Sequence, residues 1–177
     1  MGAALIAAAG LAILSACTPA LDWRGVRPAG SGAVLLMPCK PHGLERQLML
    51  AGQLTRLTLH ACTADEQTWA LAFADTVDPA RMGDVLQALV QAAGANVSAG
   101  AMPQAKTLKA PLQVRGATPH NASQWVAYQG RLPDGRAVQM EVAVFAHGTF
   151  AFQATALGPS LPAAGVQTFM ESIRFAD

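Results

Sequence analysis

The sequence predicts an α+β domain with helices packed on an antiparallel β-sheet, and three observations carry that expectation. Strand-like runs come in consecutive blocks and do not alternate one for one with helices, which separates the chain from a doubly wound fold. Only residues 79–94 and 160–173 show the apolar period of a packed helix. Short turns containing Gly or Asp-Gly separate several of the runs, as hairpins require. A length of 177 residues suits a single domain, and 52% hydrophobic against 13% charged residues suffices for a core.

The first element stands outside that domain. Residues 1–16 are apolar except for Gly2, Gly10 and Ser15, and no charged side chain occurs among them. The run is shorter than the ~20 residues of a bilayer-spanning helix. It breaks at Cys17 and Pro19, so it reads as the core of a secretory signal peptide. Its end, Leu14-Ser15-Ala16-Cys17, resembles the bacterial lipobox. The resemblance implies cleavage ahead of Cys17, a diacylglycerol on its sulfur and an N-acyl chain on the new terminus. Several acyl chains anchor stably where one binds only marginally. No Lys or Arg precedes the run, a departure from the pattern that a start further upstream would repair. Thr18 follows the cysteine where an aspartate would signal inner-membrane retention, so the resemblance points to the outer membrane, inner leaflet, facing the periplasm. Residues 17–32 hold Pro19, Pro28, Gly25, Gly30 and Gly32 and are expected to be a lipidated flexible tether. Trp23 within it is placed for contact with the membrane interface. The domain is expected over residues 33–177.

Strands open the domain. Ala33–Met37 is an apolar run closed by Pro38 and Pro41. Gln47–Ala51 and Leu54–Ala61 flank Gly52-Gln53, and in the second run Leu57 and Leu59 alternate with Arg56, Thr58 and His60. Thr68–Ala74 puts Trp69, Leu71 and Phe73 on one face and alanines on the other.

The first helix has an N-cap candidate in Asp78, Pro79 in its first turn and Gly94 at its exit. Met82, Val85, Leu86, Leu89, Val90 and Ala93 form its buried stripe. Asn96–Lys109 lacks a period and reads as a loop. Leu112–Arg115 and Gln124–Gly130 read as strands, and Leu132-Pro133-Asp134-Gly135 as a turn.

Ala137–Ala146 and Thr149–Leu157 then pair across His147-Gly148. That pairing sets Phe145 opposite Phe150, with Phe152 on the same face and Val138, Met140, Val142 and Val144 on the other. The last helix has Ser160 as cap, Pro162 in its first turn and Val166, Phe169, Met170 and Ile173 as its stripe. The order of elements and the closing Phe169-Met170-Glu171-Ser172-Ile173-Arg174-Phe175 resemble the Mog1/PsbP-like α/β/α sandwich, where a C-terminal helix ends in Phe-x-x-Ser. Asp22-Trp23-Arg24 and Pro38-Cys39-Lys40-Pro41 are similar to segments of small proteobacterial lipoproteins. Those likenesses imply a fold and a compartment, and they carry no catalytic residues.

The chemistry is sparse. A net charge of +1 without an Arg/Lys cluster excludes a nucleic-acid partner. No nucleophile elbow, zincin motif, phosphate loop or dinucleotide fingerprint occurs, so a non-catalytic domain is expected. Once Cys17 is lipidated, Cys39 and Cys62 remain, and in an oxidising compartment they read as a disulfide. The alternative is a tetrahedral zinc or copper site from Cys39, His42, His60 and Cys62, although their spacing matches no standard zinc module. His147 and Asp134 sit in turns, His120 in a loop, and Glu141 alone makes no acid-base pair. Trp69, Trp125, Tyr128 and the hairpin phenylalanines fit core packing better than a ligand groove. The expectation is a periplasm-facing lipoprotein bound to the membrane by its lipid, with no other cofactor. Its domain would engage an envelope protein or, alternatively, bind a metal or small ligand through the Cys/His set or the sheet face.

Overall fold

The computed structural model describes residues 21–99 and 105–175. The signal, the lipobox and Cys17 lie outside the described residues. In chain order the elements are β1 (Arg24–Val26), β2 (Ala33–Met37), β3 (His42–Leu50), β4 (Gln53–Ala64), β5 (Gln67–Asp75), a 3-10 turn (Pro79–Arg81) and α1 (Met82–Asn96). They continue with β6 (Ala105–Lys109), β7 (Gln124–Arg131), β8 (Ala137–His147), β9 (Phe150–Gly158), α2 (Ala163–Glu171) and β10 (Arg174–Phe175). The architecture is α+β. A seven-stranded antiparallel sheet runs β3-β4-β5-β9-β8-β7-β6, and a small antiparallel sheet runs β1-β2-β10.

Alternation along the strands builds two cores. The even residues Val138, Met140, Val142 and Val144 of β8 meet the α1 stripe Met82, Val85, Leu86, Leu89, Val90 and Ala93. The opposite face carries Trp69, Leu71, Phe73, Phe145 and Phe152, which pack under β2, β10 and α2 through Leu35, Met37, Phe175, Phe169 and Met170. Both faces of β5, β8 and β9 are therefore covered at the centre of the sheet, as their nearly continuous apolar runs demand.

Two hairpins use left-handed loops that match the twist of the flanking strands. Ala51 and Gly52 turn β3 into β4 with φ of 47° and 79°. Asp65 and Glu66 turn β4 into β5 with φ of 49° and 62°.

Several expectations are corrected, each for a local reason. The β8–β9 loop is Gly148-Thr149, so Phe145 faces Phe152, and His147 faces Phe150. Glycine takes the first loop position, where φ is +57°, and the shifted register follows. Gly94 lies inside α1, where the Tyr128 ring packs 3.3 Å from the place a Cβ would occupy. Ser160 does not cap α2; the Pro162 carbonyl accepts the Val166 N–H instead.

Leu112–Arg115 makes no strand of the large sheet. Leu112 and Val114 cover the second core, and the Arg115 carbonyl accepts the Phe175 N–H at 2.9 Å. Part of the expected 96–109 loop is the edge strand β6, whose lysines are a usual guard of an exposed edge. The expected tether also differs. From Leu21 onward it is packed on the domain: β1 pairs with β2, and Asp22 N–H donates to the Pro38 carbonyl. Trp23 meets Trp69 edge to face at 5.9 Å, so its ring is held by the protein.

Candidate functional site

The cysteine pair comes first, because β2 and β4 deliver it. Pro38 ends the β2 run, and Cys39 then lies beside Cys62 with their Cα atoms 5.9 Å apart and a disulfide between them. Cys62 is buried opposite Trp69 of β5. Both sulfurs are thereby used. His42 faces Ala61 whereas His60 faces Gly43, so alternation puts the two imidazoles on opposite faces of the sheet. The four-residue metal set is not brought together. Among the described residues no cluster of three or more His, Cys, Asp or Glu side chains is gathered.

His60 lies parallel to the Phe73 ring, their centroids 6.3 Å apart. Gly43 makes this possible, since a Cβ there would stand 3.1 Å from the imidazole Cε1. Burial disfavours the imidazolium and lowers the His60 pKa from 6.5. The unfolded chain then binds more protons than the fold below that value, so stability is full above it and declines as pH falls through it. We expect Tm to drop between pH 7 and 5, and His60→Gln to flatten that slope. An unchanged slope in thermal melts of the variant would assign the dependence elsewhere.

Beyond His60 the sheet opens. β4 pairs with β3 as far as Leu50↔Gln53, but it pairs with β5 only from Thr58↔Phe73. The two strands splay apart past that pair and leave a cleft of about 380 Å³. Phe73 and Phe150 form its floor, with ring centroids 6.2 Å apart. Thr58, Arg56 and Asp75 supply polar groups, and Leu54 and Val77 form its lip.

Leu54 is 65% exposed and Val77 81% exposed. Val77 has a φ of +60°, a left-handed conformation that costs an L-residue ~1–2 kcal/mol. Its N–H donates to Asp75 Oδ1 at 2.9 Å, which holds that backbone in place. Arg81 clamps the opposite wall through the Ala51 carbonyl, at 3.0 Å, and the Gln53 side chain. Nothing in the sequence marks this cleft as a motif. The available signal was two large apolar residues beside turns, Leu54 and Val77, that no amphipathic period explains.

The remaining candidates are structural. Glu141 is ion-paired, since Lys109 Nζ donates to both its carboxylate oxygens at 2.7 Å and lies 4.6 Å from the Trp125 ring centroid. His147 stacks on Phe175 at 3.9 Å and bonds the Gly116 carbonyl through Nδ1 at 2.8 Å. His120 Nδ1 accepts the Ala122 N–H at 3.1 Å. Asp134 accepts from the Arg136 backbone and guanidinium, which hold its carboxyl below the usual range. Trp69, Tyr128, Phe145 and Phe152 are core residues, and Phe150 reaches the cleft. Among the described residues no helix is long and apolar enough to cross a membrane. No family model matches the chain, and no curated protein matches it.

Proposed function

We propose that this protein is an envelope lipoprotein anchored through Cys17 to the inner leaflet of the outer membrane, with a non-catalytic domain that binds another envelope component. The Cys39–Cys62 disulfide carries the reading, because such bonds persist in oxidising compartments of the kind the N-terminal signal implies. The antiparallel sheet carries α1 on one face and α2 on the other, and a Mog1/PsbP-like arrangement of these layers is part of the same proposal.

The lipid reading has a geometric consequence. Thr18, Pro19 and Ala20 alone separate Cys17 from Leu21. At ~3.5 Å per residue they would hold Leu21 within roughly 14 Å of the anchored cysteine. Trp23 contacts Trp69, which pairs with Cys62, so the anchor enters at the cystine end of β4. Leu54 lies roughly 27 Å further along that strand at ~3.4 Å per residue. The cleft would therefore face away from the attachment point.

Labelling cells with radioactive palmitate tests the anchor. The wild-type chain should take the label, Cys17→Ala should not, and globomycin should cause the precursor to accumulate. Maturation that ignores globomycin, with no label at Cys17, would end the lipoprotein reading. The cleft also favours a second reading, in which the domain binds a small ligand on the sheet face.

A further inference from the structure

We propose that the cleft between β4 and β5 receives a short extended segment of a partner polypeptide, which pairs with the inner edge of β4 and seats an apolar side chain on Phe73 and Phe150. This deepens the reading of the domain as a non-catalytic binder and names its ligand class.

Main-chain chemistry is the first argument. β4 pairs with β3 along Gln53–Leu57, yet among the described residues no strand pairs with the other side of that stretch. Across the cleft, Ala74 and Asp75 pair only outward, with Ala151 and Phe150 of β9. Alternation along the strands turns the main-chain N–H and C=O of Leu54 and Arg56 toward the opening from β4 and those of Asp75 from β5, since the Thr76 N–H already donates to the Thr149 carbonyl. Such groups are obligatory hydrogen-bonding partners. An extended peptide can satisfy them by strand addition. A helix cannot, because its own main-chain groups are already bonded within it.

Size and lining narrow the occupant. A volume of about 380 Å³ accommodates a few side chains and excludes a folded module. The floor is aromatic and the lip is aliphatic, while Thr58 and Arg56 lie along the wall. Arg56 is held only loosely, its closest guanidinium nitrogen 3.8 Å from Glu45.

Val77 supplies an independent argument. A β-branched residue held left-handed and 81% exposed contributes strain without core packing. Strain of this kind is held by the surrounding structure and clusters at active sites and ligand clamps. At the lip of the cleft, Val77 is placed to contact the bound segment.

The test uses the full chain in detergent and a displayed library of random heptapeptides. Enriched peptides should alternate apolar and polar residues. A synthetic copy, titrated by fluorescence polarisation, should lose about ten-fold in affinity or more when alternate amides are N-methylated, a change of ~1.4 kcal/mol or more. Val77→Gly removes the lip and the strain, so it should fold with a higher Tm and bind the peptide more weakly. Phe150→Ala should weaken binding as well. The proposal is overturned if no sequence is enriched, if the N-methylated peptide binds equally well, or if neither variant changes the titration. It is also overturned if the cleft instead mediates self-association, seen as a dimer in sedimentation that Val77→Asp dissolves. Palmitate labelling at Cys17 is scored separately, so failure of peptide binding and failure of the anchor are distinguishable.

Discussion

Phe152→Ala should cost the domain about 4 kcal/mol, within the upper range for emptying a phenylalanine site in a core. The ring is fully buried. Its centroid lies 5.4 Å from Phe145, 5.8 Å from Phe73, 6.3 Å from Phe150 and 5.0 Å from Phe175. Phe150 shares β9 with Phe152, and the other neighbours come from β8, β5 and β10, so the site is walled by three further strands and cannot collapse by moving one of them. Aromatic contacts of this geometry add to the loss from area alone. The expected fall in Tm is on the order of 10 °C for a domain of this size. Phe150→Ala is the comparison, since Phe150 is only partly buried and should cost roughly 1 kcal/mol. Urea unfolding should show a lower midpoint for Phe152→Ala at an unchanged slope. Equal losses for the two variants would show that the aromatic cluster is not centred on Phe152.

The paired change Cys39→Ala with Cys62→Ala should cost about 3 kcal/mol. The bond closes residues 39–62, which include all of β3 and most of β4, and so removes loop freedom from the unfolded chain. Its loss frees the connection between the small sheet and the edge of the large one. Cys62 itself is buried, and alanine leaves no unpaired hydroxyl there as serine would. Reductant should lower the wild-type Tm by a comparable amount and leave the double variant unmoved. A wild-type melt indifferent to reductant would remove the disulfide from the stability of this fold.

The parts legible in the sequence share one property, a period long enough to be read locally. The α1 stripe from Met82 to Ala93 is such a case, and all of its residues are buried against the sheet. The faces of β8 and β9 are another, because alternation sorts Val142 from Phe145 without reference to any partner. The short strands were hidden. β1 and β10 have three and two residues, and both exist only because β2 pairs with them, through Arg24↔Met37 and Arg174↔Val34. β6 was hidden for the related reason that an exposed edge needs little apolar pattern. The phenylalanine register is not legible in the strand pattern, because one residue of loop position decides it.

The cysteine pair and the cleft divide the same way. Cys39 and Cys62 could be joined on paper because two thiols in an oxidising compartment have one dominant fate. The competing metal set failed on register, because the pairing of β3 with β4 sends His42 and His60 to opposite faces. The cleft is a place where pairing stops between β4 and β5, and a strand pattern carries no mark of a missing neighbour.

By itself the sequence determined the α+β class, the faces of the central strands and the buried stripe of α1, since each follows from periodicity within a few residues. The tertiary structure alone decided that the chain from Leu21 belongs to the domain, that Phe145 meets Phe152, and that β4 and β5 part beyond Thr58. Those facts depend on which distant backbone groups find partners, a competition settled only when the whole sheet forms.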